Sequence, residues 1–207
     1  MAGATSPDLL VDTARAYLDE RGLEGLTLRE IARRAGVSHG APLRHFPSLA
    51  ALCSAVATQG FRQLYTDIAE AMEAAKPDGR DRLGASGQAY VRFAVANPGA
   101  YSLMFRPDRC DPTDPDLQAA GQAAFAQLLY AVAEAQGAGW RADVATADLA
   151  AVVWAGVHGV AGLTILGALD RSVTPAGGDA DRVHLTALIQ DLMGLTPSST
   201  TPLGGEP

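Results

Sequence analysis

The sequence is short of most features that would announce a chemistry. Two cysteines, Cys53 and Cys110, occur in 207 residues without a pairing pattern, which excludes a disulfide framework and a thiolate zinc site. Lys76 is the single lysine. The first ten residues carry no Lys or Arg and only a short apolar pair, so no secretory signal is expected and the default location is the reducing cytoplasm. There is no glycine-rich phosphate loop, no His/Glu metal spacing and no nucleophile elbow. The four histidines, at 39, 45, 158 and 184, form no ligand set. These absences predict a protein that is not an enzyme, with no catalytic residue, no metal and no cofactor.

Positive charge is also scarce overall, with 16 Lys plus Arg against 23 Asp plus Glu and a net charge of −7. A strongly basic nucleic-acid binder is thereby excluded. The distribution is uneven, however. Residues 1–60 hold six arginines and six acids, so the whole negative balance falls on 61–207. Within 25–52 the arginines 29, 33, 34 and 44 face a single acid, Glu30. A small basic island sits on an acidic body.

One segment, 149–169, has no formally charged side chain and is long enough to span a membrane. Asp148 precedes it and Asp170 and Arg171 follow, without the basic cluster that orients a span. His158 lies near its middle, and four glycines and five alanines dilute its apolarity. A buried helix packed on a partner is the better expectation, with no membrane involved.

What is present is helical periodicity nearly throughout. No alternating β-branched run suggests a strand, and 48% hydrophobic content supports a core. Ser6-Pro7-Asp8 opens a first helix that Gly22 closes. Thr27-Leu28-Arg29-Glu30 reads as a capping box, Glu30 reaching back to the cap, for a second helix broken at Gly36. Ser38 caps a short third helix ended by Pro47, and Ser48 caps a long fourth one. After a polar break at 76–82, helix resumes over 86–96 and is interrupted at Asn97-Pro98-Gly99. An apolar element at 101–105 leads to a Pro/Asp-rich loop at 107–115. Two Ala-rich helices follow at about 116–135 and 143–169, then a loop at 174–180, an amphipathic helix at 181–195, and a Thr/Ser/Pro/Gly tail at 196–207 expected to be disordered.

Residues 27–52 are the most informative. They read as helix, tight turn at 35–37, and second helix, with Gly36 able to take the left-handed conformation and Val37 able to plug the space between helices. That is helix-turn-helix geometry, whose second helix enters the major groove. The turn after Ser38 offers His39, Gly40 and Ala41 for close approach to DNA, and its amides suit a phosphate oxygen. Thr27, Arg29, Arg44 and His45 are candidate backbone contacts, and Ala41 and Leu43 could touch thymine methyls. Arg33 and Arg34 are either phosphate contacts or solvated helix charges.

The run LREIARRAGVSHGAPLRHFPS resembles the DNA-binding domain of TetR-type transcriptional regulators. AYVRFAVANPGAYSLMF (89–105) and Trp154-x-x-x-His158-Gly159 resemble the C-terminal domain of a subgroup named for that Trp, His and Gly. The resemblance implies an all-α, two-fold dimer of about nine helices per subunit, the last two forming a four-helix interface. It further implies an N-terminal three-helix module (1–48) on double-stranded operator DNA and a larger helical domain (49–195) for dimerisation and a small apolar effector. Two positions depart from the family: Leu43 stands where a Tyr is usual and Leu49 where a Lys is usual, both ordinarily phosphate contacts. A helical dimer with a weakened DNA site, serving as a ligand-binding or scaffolding protein, is the alternative.

In the larger domain Phe93, Tyr101, Met104, Phe105, Trp154 and His158 are the candidate cavity residues, because small-molecule sites are mostly apolar with few polar groups. Aromatics at helical spacing serve equally as core. Trp154 and His158 lie four apart on one helix face, which borders either the cavity or the dimer seam. Cys110, beside Arg109, is a candidate thiol sensor.

Overall fold

The computed structural model describes residues 6–168. Within them lie seven α-helices and no strand: α1 (Pro7–Arg21), α2 (Leu28–Arg34), α3 (Leu49–Ala74), α4 (Gly79–Ala96), α5 (Pro98–Met104), α6 (Pro115–Gly137) and α7 (Thr146–Ile165). The all-α expectation is met. The expected helix at 181–195, the loop at 174–180 and the tail at 196–207 lie outside the described residues.

Helix starts follow local chemistry. The side chains of Ser6, Thr27 and Ser48 each accept the amide proton three residues on, at 3.1 Å in all three cases. Glu30 departs from the expected capping box: its carboxylate turns away from the cap and takes Arg33 and Arg34. A charge-assisted pair outweighs a bond to one backbone amide. The polar break is shorter than expected, because the Asp78 side chain caps Arg80 N at 2.8 Å and starts α4 at Gly79. Pro98 occupies the first turn of α5, so that helix begins earlier than 101. α7 ends at Ile165, short of 169, with Gly167 at φ 61° beyond it.

One hydrophobic cluster runs without interruption from α1 and α2 through α3 into α4, α5 and the C-terminal half of α7. Leu10, Ile31, Leu52, Val56, Phe93 and Leu103 are its fully buried members. The N-terminal helices and the larger body thus share one core. A second cluster (Met72, Leu83, Val132, Trp140, Leu149, Val153) closes the far end of the body. α4 packs against α3, α6 and α7, while α5 lies between α3 and α1.

The α1–α5 contact depends on Gly99. A Cβ there would stand 2.6 Å from the Leu18 carbonyl carbon and 2.7 Å from Asp19 N. The same approach lets Gly99 N–H donate to Asp19 Oδ1 at 2.9 Å, and Arg15 reaches Asn97 Oδ1 at 2.8 Å. α7 is apolar and long enough to cross a membrane, with a mean hydropathy of 1.5. It packs instead on α4 and α6 through one face, including Leu149, Val153, Val157 and Ala161.

Candidate nucleic-acid interface and ligand cavity

After α2 the chain turns at Gly36, whose φ of 68° is the left-handed conformation a side chain resists. Val37 N–H closes the turn on Ala32 O at 3.0 Å, and Val37 packs against the core. The expected third α-helix is only a 3-10 turn, Pro42–Arg44. Pro42 has no amide to give Ser38 O, which accepts Ala41 N at 2.9 Å instead, and the bonds that follow are tight: Arg44 N to Ala41 O at 3.2 Å and His45 N to Pro42 O at 3.0 Å. A three-residue turn that starts on proline offers no helix N-terminus to a phosphate, which corrects that expectation.

The candidate contacts separate cleanly. Thr27, Arg29, Ser38, His39, Gly40, Leu43, Arg44 and His45 are exposed. Ala41 is 1% exposed, turned inward with Pro42 and Phe46, so a methyl contact from it to DNA is corrected to a packing role. Leu43 projects, at 58% exposed. Leu49 packs partly against the core, where the usual Lys would reach outward.

The basic island is smaller than its arginine count. Arg33 grips Glu30 through Nε and Nη2 at 2.8 and 2.7 Å. Arg34 bonds Glu20 at 2.8 Å and Glu30 at 3.1 Å, and its guanidinium lies 4.6 Å from the Tyr17 ring centre. Hydrogen bonds from Arg33 and then Arg34 hold the Glu30 carboxyl down at about 2, against an ordinary 4.5. Arg33, itself exposed, and Arg34 are therefore ion-paired helix charges, leaving Arg29 and Arg44 as the island's cations without an acidic partner among the described residues.

The body holds a cavity of about 410 Å³, open to solvent at Phe125 and Trp154 and within the range of small-molecule sites. α3 supplies Phe61, Leu64 and Ile68; α4 supplies Ser86, Gly87 and Tyr90; Phe105 enters from beyond α5. α6 contributes Gly121, Ala124, Phe125, Gln127 and Leu128, and α7 contributes Val153, Trp154 and Val157. None of these side chains is ionisable near neutrality: the one titratable group is the Tyr90 phenol, which burial raises above its ordinary 10.

Phe105 and Trp154 thus line the wall, with ring centres 6.1 Å apart, and Phe125 stands 6.1 Å from Trp154 on the other side. His158 lies one layer behind. Its Nδ1 is 2.8 Å from both the Tyr90 and Tyr101 hydroxyls, and its ring meets Phe105 edge-on at 4.7 Å. Trp154 Nε1 donates to Tyr90 Oη at 3.4 Å. Burial lowers the His158 pKa, which favours the neutral imidazole. Tyr101 is buried behind the same wall; Phe93 and Met104 are core side chains of the first cluster and are not brought to the cavity.

Phe61, Tyr90, Phe125 and Gln127 are wall residues that the sequence did not single out. Phe61 lies at helical spacing from the apolar Leu64 and Ile68 of α3, which was a usable signal. Nothing local marks Gln127. Cys110 is buried, and desolvation pushes its thiol up to about 11, as it does for Cys53, so neither is a ready thiolate.

One face of α7 is left uncovered by the described residues. Val152 is 61% exposed and Leu166 69%, with Leu163 also outward. A Cβ added at Gly159 or Gly162 would meet nothing within 4 Å, so the close approach expected of these glycines is not to any described part of this chain.

Two family models match the chain. Residues 10–56 match bacterial regulatory proteins of the tetR family, and 83–188 match the tetracyclin repressor-like C-terminal domain. That C-terminal match does not carry the Trp-His-Gly subgroup. Among curated proteins, the chain is 28% identical over 93 residues to the uncharacterized HTH-type transcriptional regulator YobS of Bacillus subtilis, covering 45% of this chain and 48% of YobS. It is 32% identical over 100 residues to the HTH-type transcriptional activator FasR of Mycolicibacterium smegmatis, covering 48% and 45%. The chain spans about half the length of the curated relatives it matches. A solved protein of unknown function from Rhodococcus sp. RHA1 is 32% identical, with a TM-score of 0.78 over 92% of this chain and 95% of its own. The fatty acid degradation regulator FadR of Bacillus halodurans, at 14% identity and a TM-score of 0.69 over 93% and 96%, shares the fold.

Proposed function

We propose that this chain, which belongs to the TetR family of DNA-binding transcriptional regulators, is a cytoplasmic homodimeric repressor that a small, largely apolar effector releases from a palindromic operator. Residues 1–48 serve as the DNA-binding module, 49–195 as the effector and dimerisation domain, and 196–207 as a tail. The observation that carries this reading is that one core joins two dissimilar sites: an exposed turn bearing His39, Leu43 and Arg44, and a cavity walled by uncharged side chains.

The uncovered apolar face of α7, with Gly159 and Gly162 open to close approach, is the surface for a second copy. Two such modules would read half-sites one helical turn apart, about 34 Å. α3 runs from the DNA module to the cavity wall at Phe61, Leu64 and Ile68. α5 holds Tyr101 behind that wall and touches α1 through Gly99 and Asn97. An effector that prefers one arrangement of these helices shifts the module's spacing, and only that unequal preference has any effect.

A mobility shift with the DNA upstream of the protein's own gene tests the reading. Retardation at low salt, lost as salt rises, is expected; no retardation at any salt would contradict it. Exposed Leu43 and inward-packed Leu49 favour the second reading, a weakened DNA site on a ligand-binding dimer. Restoration of binding by Leu43→Tyr with Leu49→Lys would select it. Because FasR is an activator by name, a promoter fusion with and without the gene decides the direction, and higher expression in the deletion is expected.

A further inference from the structure

Within the turn proposed to face DNA, one outward side chain has no polar group to offer. Ala41, Pro42 and Phe46 all bury their side chains, so the Pro42–Arg44 turn is pinned to the core. Phe46 N–H closes it on Pro42 O at 2.8 Å. This anchoring turns Leu43 out to 58% exposure, with exposed Gly40 before it and exposed Arg44 after it. A Cβ at Gly40 would meet nothing within 4 Å, so no described part of the chain stands over that side of the turn. Among the described residues up to 48, Leu9 is the other large apolar side chain left exposed, and it lies on α1.

DNA offers a leucine little to bind. The side chain cannot hydrogen-bond a phosphate or a base edge, so it gains only by shedding water against another apolar group. In the major groove that group is the C5-methyl of thymine. Arg29 and Arg44, without an acidic partner among the described residues, supply attraction to the backbone but no sequence information. Ala41, the other candidate for a methyl contact, is buried. We infer that Leu43 is a specificity-determining residue that reads thymine, its side chain covering one C5-methyl in each half-site. This deepens the DNA-binding reading and rests on it, and it gives Leu43 a task that a merely weakened site would not.

The test uses two duplexes of the DNA upstream of the gene, identical except that one carries uracil at every thymine and so lacks every C5-methyl. Their affinities for the full chain are compared by fluorescence anisotropy at one low salt concentration. Burying one methyl is worth about fourfold in affinity, so two half-sites should favour the thymine duplex about fifteenfold. Leu43→Ala, which leaves the core untouched, should lose affinity for the thymine duplex alone and bind the two within about twofold of each other. Leu43→Met keeps an apolar reach and should retain most of the preference. Arg44→Ala should weaken both duplexes alike and keep their ratio, as loss of a backbone contact does. Equal affinity of the unsubstituted chain for both duplexes would overturn the inference, and so would a Leu43→Ala chain that keeps the full preference. Either result leaves the DNA-binding reading standing. Binding of neither duplex would overturn that reading and this inference together.

Discussion

The turn proposed to face DNA places His39, Leu43, Arg44 and His45 in solvent within eight consecutive residues, 38–45, whereas the cavity draws on residues as far apart as Phe61 and Val157. The first is organised by short-range bonds: a left-handed Gly36, a Ser38 carbonyl taken by Ala41, a proline that limits the turn. The second exists only because α3, α4, α6 and α7 pack side by side. Charge divides them as sharply. Around α2 the ions pair with one another and leave Arg29 and Arg44 without an acidic partner; among the described residues the cavity wall carries no charged side chain. A surface that meets a polyanion works by its unpaired charges.

This contrast can be broken at several points. The largest effect belongs to the shared core. Phe93→Ala should destabilise the fold by about 3–5 kcal/mol, measured by denaturant unfolding, since a fully buried ring leaves a cavity behind. Phe125→Ala, at 41% exposed, should cost far less stability yet weaken binding of an apolar probe. Comparable losses for both would mean that the wall is simply core.

Next is the seam. Gly159→Leu should leave helicity intact, because space is open there and glycine is a poor helix former. It should shift the sedimenting species from dimer to monomer and weaken operator binding with it. An unchanged dimer would remove α7 from the interface.

Smaller effects lie in the island. Glu30→Gln frees Arg33 and leaves Arg34 on Glu20, so affinity for DNA should rise modestly and depend more steeply on salt. With Glu30 in place, acid has the converse action. Its folded-state carboxyl sits at about 2 against an ordinary 4.5. Its contribution to stability is therefore complete above about 4.5 and is lost as pH falls toward 2. Asp108, held at about 2 by the Arg106 hydrogen bond, adds to the same acid limb. The loss should be slight, since both groups are on the surface, and Glu30→Gln should flatten it in an acid-unfolding series.

The contrast also governs what could be read from the sequence. Caps and turns were legible because their causes lie within a few residues: Ser6, Thr27, Ser48 and Gly36 act where they were expected to. Pro42 was equally visible, yet its effect on the third helix was missed; its lost amide bond shortens that helix to one 3-10 turn. The pairing of Glu30 with both Arg33 and Arg34 was available from i,i+3 and i,i+4 spacing, but Glu20 reaches Arg34 only through the fold. In the cavity, Phe105 and Trp154 could be named because aromatics stand out in a sequence with few of them. Phe93 was named on the same grounds and faces the core, since type alone does not fix direction. Gln127 had no local signal; the bond that holds its amide is to the Tyr65 carbonyl, 62 positions away.

The most direct test is the salt dependence of affinity for duplex DNA from upstream of the gene, measured by fluorescence anisotropy for the unsubstituted chain and for Arg44→Ala. Each phosphate contact adds about 0.9 to the slope of log affinity against log salt. With Arg44 outward on both protomers of a dimer, the substitution should flatten that slope by about two and weaken binding across sequences alike. An unchanged slope and affinity in Arg44→Ala would contradict the placing of the DNA face on this turn.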